Sequence, residues 1–548
     1  MFQQLTQQAL RQARLVKVMA ASGVIRPYGP GTLAGIGKAL YTRGIGFAGG
    51  IRALAVRAPD EVGLIDELGE LTWSEMDQRA TRLAHGLQGL GVSEGDSVAL
   101  LCRNHRYFVD VSTALSKLGA DILYLNTAFS APQLGEVCAR EKPAAIVFDE
   151  EFTELIDKSG IEVTRVLAWH DGDAGEVPLV EDLVANGGTE DLPVPEHTTR
   201  PVILTSGTTG TPKGAPRGES GLDGAVALLS KMPLRTGGTT YIAAPLFHTW
   251  GWAHLNLAML LGSTLVLTRK FDPAGSLKTL QQHDCDAMVV IPVMMQRIMK
   301  LPEEDRSGDF SGLRVVAASG SALPGDLATD WMDAFGENLY NTYGSTEVAW
   351  ATIAQPRDMR EAPGTAGKPP YNTVVKIYDE DGHEVAPGDS GRIFVGNTML
   401  FGGYTGDEEE GKAMIDGLMS SGDVGRFDDE GRLFVEGRDD EMIVSGGENV
   451  FPKEVEDCLS RHSNVQDVAA IGVDDDDFGK RLRAFVVKDG EVDEDTLKTH
   501  VKDNLARYKV PREIVFLDEL PRNATGKVLK KDLKDYDEDG NPGGAEQD

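Results

Sequence analysis

Short apolar runs alternate with helix-length stretches along most of this 548-residue chain, and that alternation is the tightest constraint on its fold. Ser97–Leu101 is followed by a helical stretch over Tyr107–Leu118 and a second apolar run at Asp121–Leu125. Ala144–Phe148 and Val163–Ala168 continue the series, and Tyr241–Ala244, Thr264–Leu267, Ala287–Ile291 and Leu313–Ala317 repeat it. Strands alternating with helices predict parallel sheets covered on both faces, the α/β class. Between about 374 and 435 the strands shorten and turns such as Asp381-Gly382, Pro387-Gly388 and Asp429-Glu430-Gly431 intervene, which predicts a small antiparallel barrel. After Gly437-Arg438-Asp439-Asp440 an α+β segment runs to about Leu533, and the Gly-rich acidic end, 535–548, reads as a solvated tail.

Charge divides the chain more sharply than hydropathy does. The net charge is −32, which argues against a nucleic-acid partner because a phosphate backbone is repelled. Residues 1–59 nevertheless carry eight cations and no acid, so the remainder stands at −40. Phe2, Leu5, Ala9, Ala13, Val16 and Ala20 recur at helical spacing in this arm. Two readings stay open: peripheral contact of residues 1–45 with an anionic lipid surface, or packing of the arm on the acidic body. No apolar stretch is long enough to span a bilayer. The four cysteines are scattered without metal or disulfide spacing, which fits a reducing, cytoplasmic setting.

The segment after the apolar run Pro201–Leu204 concentrates chemistry. Thr205, Ser206, Thr208, Thr209 and Thr211 supply hydroxyls, Gly207, Gly210 and Gly214 let the backbone approach an anion closely, and Lys213 adds a cation. The spacing differs from that of P-loop NTPases, so a GTPase-like reading is excluded.

This loop resembles the phosphate-binding motif of the acyl-adenylate-forming superfamily, which contains the acyl-CoA synthetases, and further motifs recur in that family's order over roughly residues 60–533. The resemblance implies a large N-terminal domain of two α/β halves and a barrel (60–438), then a mobile α+β C-terminal domain (439–534). It implies ATP, Mg²⁺ and CoA as reactants with a small carboxylic acid. In the octet Tyr340–Glu347 it places Tyr343 on adenine, Thr346 on phosphate and Glu347 on Mg²⁺, a hard ion suited to oxygen donors. Asp423 and Arg438 would hold the ribose, and Lys527, in Thr525-Gly526-Lys527, would bridge carboxylate and α-phosphate as the two anions meet. His248 would lie near the substrate carboxylate, with Trp252, Ala318 and Gly320 lining the acyl pocket. Asp440 would be the hinge between half-reactions, and Ser445, Gly446 and Gly447 would close over the CoA arm.

The small residues around Gly320 lead to an expectation of a medium- or long-chain fatty acid, with an aryl acid, or transfer to a separate carrier protein, as alternatives. Lys530 and Lys531 read as ordinary solvent-facing cations of a basic tail. The run Ala215-Pro216-Arg217-Gly218 departs from the family's longer apolar segment and leaves substrate-side detail open.

Overall fold

The computed structural model describes residues 2–172, 175–205, 213–216, 222–345, 347–400, 413–441, 443–445, 448–475, 479–523, 526–537 and 540. Two sheets form the body. The first has the order Thr164–Leu167, Ala145–Phe148, Ser97–Leu101, Asp121–Tyr124, Pro201–Thr205, Lys213–Pro216, parallel except for the last strand. Its inner strands read as unbroken apolar runs because helices cover both faces, and Ala145–Phe148 is buried at every position. The second sheet has eight strands, Ala349–Ala354, Leu339–Ser345, Val315–Ala318, Ala287–Val290, Thr239–Ile242, Thr264–Leu267, Val62–Asp66 and Gly69–Thr72. One continuous apolar core joins both halves.

The hairpin Val62–Thr72 joins the second sheet by pairing Leu64 with Leu265, a contact across 200 residues of chain. Beyond the second sheet lies the five-stranded antiparallel unit of Val374–Tyr378, Gly391–Gly396, Met414–Ile415, Leu418–Phe427 and Leu433–Arg438. Among the described residues its ladders do not close into the expected barrel. Leu433, on the last strand, is bridged to Gly367, whose neighbour Lys368 bridges Ile353 of the large sheet, so that end is tied to the body instead.

The C-terminal unit places the helices Pro452–Leu459 and Glu494–Asn504 on a mixed sheet of Ile443–Ser445, Glu448–Val450, Val465–Asp475, Gly479–Lys488 and Glu513–Leu517, with apolar clusters of its own. Tyr536 packs edge-on to Phe485 at 6.2 Å, and Gly540 still lies against the strand Glu513–Leu517, where a Cβ would meet Phe516 O at 2.8 Å.

Within residues 1–59 the chain forms three helices, Phe2–Ala21, Pro30–Arg43 and Phe47–Arg57. Met19 packs with Val226 and Tyr371, and Arg11 pairs with Asp223 at 2.6 Å. Phe47, Ile51 and Leu54 enter the main core. The basic stretch is therefore docked on the acidic body along much of its length. No described helix is long and apolar enough to cross a membrane, and all four cysteines are buried thiols.

Candidate active site

The expected nucleotide-binding groups converge at the C-terminal edges of the second sheet. Tyr343 lies on Leu339–Ser345, and its hydroxyl donates to Asp423 Oδ2 at 2.5 Å with Ser421 Oγ at 3.2 Å. Burial, reinforced by the Asp423 charge, raises the Tyr343 pKa well above its ordinary value, so the phenol stays a donor. Asp423 is cross-strand neighbour to Arg438, with Oδ1 3.6 Å from the guanidinium. Gly422 precedes it at φ +83°, a backbone conformation that favours glycine. A carboxylate held this way, with a guanidinium beside it, suits the paired hydroxyls of a ribose.

Glu347 is partly buried in the turn between Leu339–Ser345 and Ala349–Ala354, its N–H bonded to Ser345 Oγ at 3.2 Å. A carboxylate four residues beyond Tyr343 is the hard oxygen donor that Mg²⁺ takes, so the donor chemistry fits that ion.

The phosphate loop is framed by its strands. Thr205 pairs with Lys213 across the hairpin of Pro201–Thr205 and Lys213–Pro216. Ser206, Gly207, Thr208, Thr209, Gly210 and Thr346 lie outside the described residues, as do the side chains of Thr205 and Lys213. On the C-terminal side, Ser445 pairs with Glu448, and Gly446 and Gly447 between them lie outside the described residues. Asp440 sits in the single helical turn Asp439–Glu441; its side chain, like that of Ser445, is outside the description.

Lys527 is held by a tight turn. Asn523 Oδ1 accepts from the Lys527 N–H at 2.9 Å, and Arg522 fixes the turn to the C-terminal sheet through Asp467 at 2.6 Å. Gly526, at φ +77°, lies so close to the large domain that a Cβ would meet Val293 Cγ1 at 2.5 Å and Ile291 Cδ1 at 3.3 Å. The same Ile291 meets Gly320, whose Cβ would lie 3.2 Å from Cγ2. The Lys527 turn and the small residues after Val315–Ala318 thus touch one side chain from opposite domains. This is the closed arrangement that an approach of carboxylate to phosphate needs.

Lys530 departs from its reading as a solvent-facing cation. It bonds Glu441 at 2.8 Å and Glu456 at 2.9 Å, and its side chain is 24% exposed. Burial opposes its charge, but the two glutamates outweigh it and raise its pKa. It ties the segment after Lys527 to the turn that holds Asp440.

His248 caps the helix Thr249–Leu261, its Nδ1 accepting from the Trp250 N–H at 3.4 Å. Ala318 ends its strand fully buried. Trp252 packs on the main core with its indole near the Tyr124 hydroxyl of the first sheet. Of the residues on the opposite side of that helix, Trp250 belongs to the same sequence segment as His248 and Trp252, and His254 was not singled out from sequence. Trp250 donates from Nε1 to Val290 O at 3.0 Å, stands edge-on to Trp350 with centroids 5.8 Å apart, and meets His254 at 4.1 Å. Trp350 is cross-strand partner to Gly344, the residue after Tyr343. An aromatic wall therefore stands directly beside the nucleotide site. The helix is apolar nearly all round, so no periodicity marks which face does this.

Comparison with known proteins accords with this geometry. The AMP-binding enzyme family matches residues 51–405, and the AMP-binding enzyme C-terminal domain matches residues 454–527. A feruloyl-CoA synthase of Amycolatopsis sp is 34% identical over 470 residues, covering 85% of this chain and 93% of that protein. An indoleacetate–CoA ligase of Aromatoleum aromaticum is 31% identical over 475 residues, covering 85% and 93%. Among solved structures, the anthranilate CoA ligase AuaEII in complex with anthranoyl-AMP aligns with a TM-score of 0.79 at 25% identity, covering 88% of this chain and 96% of that one. The chain belongs to the AMP-binding enzymes, the acyl-adenylate-forming superfamily.

Proposed function

We propose that this protein is an aryl-CoA ligase, forming an aryl adenylate from ATP and an aromatic carboxylic acid and then passing the aryl group to CoA. The observation that carries the substrate class is the wall of Trp250, His254 and Trp350 beside Gly344. Bulky rings at this point would leave little room for an extended alkyl chain, and they offer edges and faces on which another ring packs well. The fatty-acid expectation gives way for this reason. The relatives support the same reading, since ferulate, indoleacetate and anthranilate are all aromatic acids.

In the first step a carboxylate oxygen attacks the α-phosphorus, the bond to the β-phosphate oxygen breaks, and pyrophosphate leaves. Lys527 and Lys213 offset the charge of the two anions as they approach, and Glu347 would hold the Mg²⁺ that would supply further charge neutralisation to the phosphates. Asp423 and Arg438 hold the ribose and Tyr343 the adenine, fixing the α-phosphate in place. In the second step the CoA sulfur attacks the carbonyl carbon and AMP departs. Rotation about Asp440 withdraws Lys527 and carries Ser445, Gly446 and Gly447 toward the thiol arm, while His248 borders the acyl carbonyl.

The test is product analysis with ATP, Mg²⁺ and a hydroxycinnamate or benzoate, offering CoA, a simple amine or an acyl-carrier protein as acceptor. The expected product is the CoA thioester with AMP in equal amount. AMP release that ignores CoA but follows the carrier or the amine would overturn the acceptor assignment.

A further inference from the structure

The aromatic wall contains two buried polar atoms that the fold leaves without partners. His254 is 2% exposed, and its Nδ1 lies 3.1 Å from the Trp250 carbonyl oxygen. A carbonyl only accepts, so Nδ1 carries the proton and Nε2 presents a bare lone pair. Among the described residues Nε2 has no hydrogen-bond partner, and neither does Trp350 Nε1, a donor on a side chain 8% exposed. Burial lowers the His254 pKa to about 4, so the ring is neutral at physiological pH and the acceptor persists. A buried acceptor and a buried donor left unmade each cost free energy. Both flank Trp250, with its ring 4.1 Å from His254 and 5.8 Å from Trp350.

Resting on the aryl reading above, we propose that His254 Nε2 and Trp350 Nε1 form a subsite for a polar ring substituent, and that the preferred acids carry a hydrogen-bond-donating group, a phenolic hydroxyl or a ring N–H, that donates to His254. A bare phenyl ring leaves both atoms unpaired and is selected against.

The test compares kcat/KM for paired acids differing only in the substituent, hydroxyl against hydrogen against methoxy, in the wild-type enzyme, His254→Leu and His254→Gln. The wild type is expected to favour the hydroxyl acid over the unsubstituted one by about tenfold or more, the size of one buried hydrogen bond. His254→Leu should erase that preference while still turning over the unsubstituted acid, and His254→Gln, which keeps an acceptor, should restore part of it. Turnover of aryl acids with an unchanged preference in His254→Leu would overturn the subsite and leave the aryl reading standing. No turnover of any aryl acid by the wild type would remove the reading beneath it. Because His254 is neutral down to about pH 4, the wild-type preference should also hold from pH 6 to 9.

A second, independent observation concerns the surface. Six of the twelve large apolar side chains exposed among the described residues fall between Val16 and Val56, inside the stretch that has eight cations and no acid. On the helix Pro30–Arg43, Gly35 faces inward, where a Cβ would meet Val56 at 2.6 Å, and Leu33 and Tyr41 stand out at 52% and 92% exposure, continued by Ile45 at 56%. Lys38 is exposed on the same side. The first helix docks on Val226 and Tyr371 through Leu15, Val18 and Met19, whereas Val16 of the face that sequence periodicity marked is 50% exposed. We infer that the Pro30–Arg43 helix is a docking surface for an anionic lipid bilayer, apolar side chains entering the headgroup boundary beneath a cationic flank.

Sedimentation of the full-length protein with vesicles of phosphatidylglycerol and phosphatidylcholine, against phosphatidylcholine alone, tests this. Binding to the anionic vesicles is expected, reduced at least about tenfold in Leu33→Ser/Tyr41→Ser/Ile45→Ser with acyl-CoA synthesis in solution unchanged. Equal sedimentation of wild type and variant would overturn the surface, as would a wild-type dimer in light scattering that the variant abolishes.

Discussion

Lys527→Ala is expected to slow acyl-adenylate formation at least about a hundredfold, the usual consequence of removing one preorganised charge from a developing anionic centre. The reasoning is local. The lysine sits on a turn held by Asn523 and anchored through Arg522 to Asp467, and that turn meets the large domain at Ile291 and Val293. On the proposed mechanism its ammonium would offset the charge of the carboxylate and the triphosphate as the two anions come together. The loss should appear in pyrophosphate exchange. Conversion of supplied aryl-AMP and CoA to the thioester should change little, because that step proceeds with the turn withdrawn. Equal damage to both half-reactions would show that Lys527 supports the fold rather than the adenylation chemistry.

Gly526→Val is expected to produce nearly the same kinetic defect without touching a charged group. The residue is at φ +77°, where a β-branched side chain is strained, and its Cβ would fall 2.5 Å from Val293 Cγ1. The turn can relieve the clash only by lifting off the large domain, which carries Lys527 away with it. A loss of about a hundredfold in adenylation is expected, with thermal stability of the large domain unchanged. The double variant with Val293→Ala should recover part of the activity, since it clears the nearest atom. Failure of that rescue, with Gly526→Val fully folded, would mean that the contact does not govern the step.

Much of the fold was legible because buried parallel strands leave a plain trace. Ser97–Leu101, Asp121–Tyr124, Ala145–Phe148 and Ala287–Val290 are short apolar runs because helices cover them on both sides. The Val62–Thr72 hairpin was not legible as part of the second sheet, since its partner Leu265 is remote and nothing local specifies the pairing. The route of the last strand of the antiparallel unit was hidden for a similar reason: turns announce antiparallel strands, but that Leu433 bridges Gly367 is decided by tertiary contact.

At the site, residue types and order identified Tyr343, Glu347, Asp423, Arg438 and Lys527 one at a time. They did not reveal that the Tyr343 hydroxyl is bonded to Asp423, because that contact joins strands 80 residues apart. Lys530 looked like any tail lysine until Glu441 and Glu456 were found around it. The aromatic wall was hidden most completely. Trp250 and His254 lie on a helix without amphipathic contrast, and Trp350 belongs to a strand that sequence analysis did not mark.

Direct competition between acids tests the account best: kcat/KM for CoA-thioester formation with a hydroxycinnamate, benzoate, octanoate and palmitate under one set of conditions. The aromatic wall leads to an expected preference for the hydroxycinnamate over either alkyl acid of at least about a hundredfold, a ring packed on aromatic side chains in place of an alkyl chain. Efficient turnover of palmitate with little or none of the aryl acids would contradict it.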